Sequence, residues 1–112
     1  MNTGFDSLVS KLREQGYYIS DSPQEIIRER ELYVDIVDIA KKEDFTGGYT
    51  FDVYVAIVLD RVDRSEALAE IENIVKTVDE AGCIIDRIET DILGEQIRFV
   101  VITIYREVVY VG

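Results

Sequence analysis

Residues 41–50 read KKEDFTGGYT, with Lys41, Lys42, Gly47 and Gly48 inside one short stretch. Lysine near glycine is the composition of a loop that grips phosphate. A Walker loop, however, has the pattern GxxxxGK[ST] and leads into a helix, whose N-terminus supplies aligned N–H groups and positive dipole. Here the glycines run into TFDVYVAIVLD, where Phe51, Val53, Val55, Ile57 and Leu59 alternate with Asp52, Tyr54, Ala56, Val58 and Asp60. Period two marks a strand. Glu43 and Asp44 balance the lysines, so a phosphate role is set aside. The stretch reads instead as a hairpin turn of about nine residues, longer than the two to five typical of hairpins. Gly47-Gly48 supplies positive φ and Phe45 and Tyr49 stand near the tip.

Other reactive types are few. The chain has no histidine and one cysteine, which excludes Ser-His-Asp and Cys-His arrangements, an internal disulfide and a multi-cysteine zinc site. Cys83 follows Gly82 at a helix-to-strand junction, beside Ile84 and Ile85, and reads as a packed small residue rather than a nucleophile. The acid pairs Asp35/Asp38, Asp60/Asp63 and Glu89/Asp91 are what 23 acids in 112 residues produce by chance. They read as a solvated acidic face, and no EF-hand loop is present. No catalytic residue, cofactor or metal is expected, and the protein is not expected to be an enzyme.

Twelve basic against 23 acidic residues give a net charge of −11. Such a charge opposes binding to nucleic acid and anionic lipid, and suits either a high-salt habitat or a basic protein partner. The apolar runs fall far short of the ~20 residues of a membrane helix. The N-terminal stretch, with Asp6 and no apolar h-region, does not resemble a signal peptide, so use inside a cell is expected.

The elements follow from periodicity. Asn2 or Thr3 can cap a first helix carrying Phe5, Leu8, Val9 and Leu12 on one face and stopping at Gly16. Tyr17, Tyr18 and Ile19 form a short apolar patch, and in SDSPQE Ser22 and Pro23 can open a brief helical turn. In ELYVDIVDIA, a strand is expected with Leu32, Val34, Ile36 and Asp38 opposing Tyr33, Asp35, Val37 and Ile39. A central helix begins at Asp63 or Ser65, with Glu66 and Glu70 near its positive end, and ends at Gly82. Its apolar face is Ala67, Leu68, Ile71, Ile74, Val75 and Val78. Two strands joined at Leu93-Gly94-Glu95 close the chain. The expectation is one α+β domain over residues 1–112: a mixed or antiparallel four-stranded sheet with a long β-hairpin, packed by two helices, in the order α-β-β-α-β-β.

The last strand, from Gln96 to Val111, is long and apolar on both faces. Phe99, Val101, Tyr105, Val109 and Val111 lie on one side, Val100, Ile102, Ile104, Val108 and Tyr110 on the other. Helices cover one face of such a sheet, and the second apolar face needs a cover of its own. Self-association supplies one.

The SDSPQE connection, the strands LYVDIVDI and TFDVYVAIVLD with a Gly-bearing turn between them, the link DRVDRSE, the helix EALAEIENIVKTVDEAG and a long apolar final strand are now in place. In this order the chain resembles the tail terminator, or tail-to-head joining, proteins of long-tailed bacterial and archaeal viruses, together with related minor tail and neck proteins. The resemblance implies a homo-oligomer, a ring of six copies that caps the tail tube and stops its growth. The implied partners are the tail tube protein and the head-tail connector protein. DNA would pass through the ring without specific binding, and no membrane is involved. The implied location is the virion tail or neck, assembled in the host cytoplasm. Contacts are expected at the hairpin residues Lys41, Lys42, Phe45 and Tyr49, and on the outer face of the last strand at Val100, Ile102, Ile104, Val108 and Tyr110. The alternative is a small α+β ligand-binding or regulatory module that dimerises through its sheet, with a pocket lined by Tyr54 and Tyr105.

On the ring reading, Phe45→Ala weakens assembly and leaves the fold intact. Light scattering alongside circular dichroism checks this, and an unfolded variant would place Phe45 in the core instead.

Overall fold

The computed structural model describes residues 3–20, 30–45 and 48–110; the side chains of residues 3, 43–45 and 110 and the turn expected in SDSPQE lie outside that description. The order is α1 (Thr3–Glu14), β1 (Tyr18–Ser20), β2 (Glu31–Phe45), β3 (Gly48–Arg61), α2 (Arg64–Glu80), β4 (Ile84–Leu93) and β5 (Gln96–Tyr110). The class is α+β and the sheet is mixed, as expected, with two corrections: the sheet has five strands rather than four, and the element order is α-β-β-β-α-β-β. The strands lie in the order β1-β2-β3-β5-β4, the extra strand β1 running parallel to β2 while every other pair is antiparallel. Three residues are too few to show a period, so β1 left only an apolar patch as its signal.

Both helices pack on one face of the sheet. Leu8 and Leu12 of α1, with Ala67, Ile71, Ile74 and Val78 of α2, meet Val53, Val55, Ile57, Leu59, Phe99 and Val101 in the main core. Leu68 falls outside that face and is 54% exposed. Thr77 is buried in the helix, its hydroxyl donating to the Asn73 carbonyl at 2.9 Å. Asp63 is the N-cap of α2, accepting from the N–H groups of Ser65 at 2.8 Å and Glu66 at 3.2 Å.

The C-terminus of α1 is closed by a distant side chain. Arg30, at φ +63, sends its guanidinium back to the carbonyls of Gln15 and Gly16 and lays it 4.5 Å from the centre of the Tyr17 ring. Helix C-termini leave carbonyls without partners, and a cation there also opposes the dipole.

The hairpin differs most from expectation. β2 and β3 pair from Tyr33↔Val58 out to Phe45↔Gly48, so only residues 46 and 47 separate the strands. KKEDFTGGYT is therefore mostly ladder, not a nine-residue turn. A register shift between Ile36 and Asp38 inserts Val37 as a bulge. Beyond it the faces exchange: Ile39, opposite Val53, lies on the helix side, and Asp38, opposite Tyr54, lies on the other. An extra residue resets a period-two pattern, which is why strict alternation misassigned this end of the strand.

Gly4 sits where a Cβ would come within 2.5 Å of the Tyr105 ring. Gly4→Ala therefore drives α1 away from β5, with an expected loss of about 1–3 kcal/mol. Urea unfolding checks it: the midpoint falls and the slope stays constant.

Candidate interaction surface

β3 and β5 pair along fourteen positions, from Gly48↔Tyr110 to Arg61↔Ile97. Alternation then builds a second face, away from the helices. Its centre is Ala56, Val58 and Ile102, buried among Tyr33, Tyr54 and Val100. Neither helix covers it. This is the doubly apolar final strand of the sequence analysis, with its two faces divided as expected.

Ion pairs close the patch at both ends. At one end Asp60 accepts two hydrogen bonds from the Arg98 guanidinium, at 2.8 and 2.9 Å. At the other, Asp52 meets the Lys42 ammonium at 2.9 Å and Arg106 at 3.0 Å. Both carboxylates are nearly buried while Lys42 and Arg106 stay more than half exposed. The lysine and arginine beside it hold the Asp52 carboxyl below the ordinary aspartate range. On the helix side, Arg61 makes a two-pronged contact with Glu70 of α2, and its remaining nitrogen donates to the Asp60 carbonyl at 2.7 Å. Glu70 thus holds β3 to α2 rather than serving only the helix dipole.

The expected contact residues divide between the two faces. Lys42, Val100, Ile102, Ile104 and Val108 share the helix-free face. Lys41 and Tyr49 lie on the opposite one, with the lysine nitrogen 4.1 Å from the ring centre. Phe45 and Tyr110 both pair through backbone with Gly48 at the end of the arm. Ile102 is already buried within the chain, whereas Val108 is 45% exposed. Tyr54 and Tyr105 line no common pocket, because Tyr105 pairs with Val53 and points to the helices while Tyr54 faces away. Cys83 is buried and its thiol is pushed up by desolvation, as a packing residue should be.

Three further features escaped the sequence reading. A cleft of about 610 Å³ lies between α1 and the β1–β2 edge, lined by Phe5, Val9, Ile19 and Tyr33 with Asp6, Arg13 and Asp35. A second, of about 520 Å³, lies between α2 and β4 and is lined by Leu68, Ile92, Ile97 and Phe99. The third is an Asp-Ile pair used three times at sheet edges. Asp35, Asp38 and Asp91 each accept from the N–H of the next residue, Ile36, Ile39 and Ile92, at 2.9 Å. These N–H groups point out of the sheet, and a carboxylate covers each. The DI dipeptides were readable, but strand periodicity alone does not say which strands are edges.

Among the described residues no group of three or more Cys, Asp or Glu is arranged to hold a metal, and no helix is long and apolar enough to cross a membrane. No protein-family model matches the chain, and no curated protein matches its sequence.

The lowered Asp52 pKa fixes a pH dependence. Its stabilisation is complete above the ordinary aspartate value and is lost as pH falls through the lowered one, so unfolding free energy should decline below about pH 4. Asp52→Asn shows a shallower acid decline and is less stable at neutral pH by about 1 kcal/mol, a modest loss because Lys42 and Arg106 resolvate. Urea titrations from pH 2 to 7 check both.

Proposed function

We infer that this protein is a virion structural subunit, a tail terminator whose ring caps the tail tube and joins it to the head connector. The observation that carries the reading is the helix-free sheet face, apolar at its centre and closed by the Asp60–Arg98 and Lys42–Asp52–Arg106 pairs. The centre of that face is already buried within the chain, and its apolar margin at Val108 and Ile84 is what a neighbour would cover. The long β2–β3 arm, continued by the end of β5, supports it further, since it offers a neighbour strands that no helix occupies. The resemblance in element order supplies the virion context, and the acidic surface suits a conduit through which DNA slides without sticking.

The cleft beside α1 favours a second reading, a ligand-binding or regulatory module that dimerises through its sheet. Its polar rim of Asp6, Arg13 and Asp35 would receive a small zwitterion.

Light scattering across a concentration series, with negative-stain images, separates the two. The terminator reading expects rings near six times the subunit mass; a compact dimer stabilised thermally by amino acids or nucleotides would sink it. In a structure of the ring, a lumen lined by arginines would remove the conduit argument.

A further inference from the structure

The sheet has two outer strands. β1 covers β2 only at Glu31, Leu32 and Tyr33, so among the described residues no strand covers the β2 edge from Val34 outward or the outer edge of β4. Through β3 and β5 the antiparallel alternation makes β2 and β4 run in opposite directions. Copies rotated about an axis along the strands therefore bring β4 of one against β2 of the next in antiparallel sense. Contacts of this head-to-tail kind close rings.

Which residues would meet is set by backbone phase. The N–H groups of Ile39 and Ile92 face outward, since each is taken by the preceding aspartate. Alternation then turns Lys41 on β2 and Thr90 on β4 outward as well, and neither carries such a cover among the described contacts. Exposed edges of this kind recruit strands. Setting Lys41 opposite Thr90 fixes the register. Ile39, 45% exposed, falls opposite Ile92, 75% exposed, both on the helix side. Lys42 falls opposite Glu89 on the other side. A shift of two residues one way would set Lys42 against Arg87 and lose both matches. Lys42 keeps donors beyond its Asp52 contact, and Glu89, held by Arg87 at 2.7 Å, has room for a second cation. The groove of Leu68, Ile97 and Phe99 beside Ile92 accepts the incoming isoleucine. Nearer the start of β2 the bulge at Val37 and the Asp35 cover on Ile36 blunt the edge. Asp38 and Asp91 cover Ile39 and Ile92 in the same way, so docking must displace both carboxylates at that pair, and Lys41 opposite Thr90 supplies the open N–H groups.

We propose that β4 is a strand-acceptor edge whose occupant is a second copy of this chain, through β2 residues Ile39 to Lys42, with Lys42 of the neighbouring copy on Glu89 and its Ile39 on Ile92. This deepens the ring reading and rests on it. The contact continues each five-stranded sheet into the next subunit.

Three variants test it by mass photometry and sedimentation, with circular dichroism to establish folding. Thr90→Pro removes an outward N–H, so the β4–β5 ladder survives while association weakens about ten-fold or more. Lys42→Glu and Glu89→Lys each reduce wild-type rings to monomers, and mixing the two variants restores rings, because each junction then has one swapped or one original pair. Rings that persist in all three variants overturn this contact and leave the ring reading standing. Association lost in Thr90→Pro but kept in Lys42→Glu overturns the choice of occupant, since β4 would then be pairing with itself. A wild-type protein that stays monomeric at every concentration overturns the contact and the ring together.

Discussion

β3 buries side chains on both of its faces, Val53, Val55, Ile57 and Leu59 toward the helices and Ala56 and Val58 away from them. A strand with that pattern must lie inside a sheet and be covered twice. β2 and β5 flank it because both carry partners for each face: Leu32 and Val34 with Tyr33 on β2, Phe99 and Val101 with Val100 and Ile102 on β5. The helices can reach only one side. The chain answers the other side by limiting the apolar rows and ending them with charge, as Asp60 and Asp52 lose water and recover it as hydrogen bonds from Arg98, Arg106 and Lys42. Such carboxylates are tolerable away from water only because their partners are fixed by register. The same register that pairs Asp52 with Arg106 and Asp60 with Arg98 also sets Val58 against Val100 and Ala56 against Ile102.

How much of this was legible in the sequence depended on whether a pattern was local. The helix faces apart from Leu68, the stop at Gly82, the two faces of β5 and the tight turn before Gln96 were all readable, since each rests on residues within a few positions of one another. What was hidden was set by distant neighbours. Gly4 resembles any glycine near a helix start until Tyr105 is placed above it. Arg30 sits in a charged run and gives no sign that it closes α1. The bulge at Val37 breaks alternation by one residue, and an apolar residue on either side of it makes both phases look satisfactory. The nine-residue turn fails for a related reason: Lys41 and Lys42 are polar, and polar residues mark a loop and a strand that has run past its core alike.

The expected contact residues show the same limit. Val100, Ile102, Ile104, Val108 and Tyr110 lie on the last strand as expected, whereas Lys41, Lys42, Phe45 and Tyr49, expected in a turn, lie on β2 and β3, and the bulge at Val37 decides which β2 residues face the helices. Lys41 and Lys42, consecutive in a strand, point to opposite faces in either phase, one lying over Tyr49 and the other on Asp52. Side chains of adjacent residues can thus serve different surfaces, and a cluster in sequence is not a cluster in space.

The molecule measures 52 Å along its long axis and 26 Å across, because β2, β3 and β5 continue well beyond the reach of α1 and α2. Past Val53 and Tyr105 the arm keeps its ladder hydrogen bonds but loses the main core, and Ile39, Val108 and Val109 stand open to solvent. Stability is therefore graded along the strands: the arm can fray while the helix-covered half stays folded, as regions with few buried contacts do. Amide protons there should be governed by local opening rather than by global unfolding. The arm's order is then a separate thermodynamic quantity from the fold's, free to change by substitution at the tip without endangering the domain that carries it.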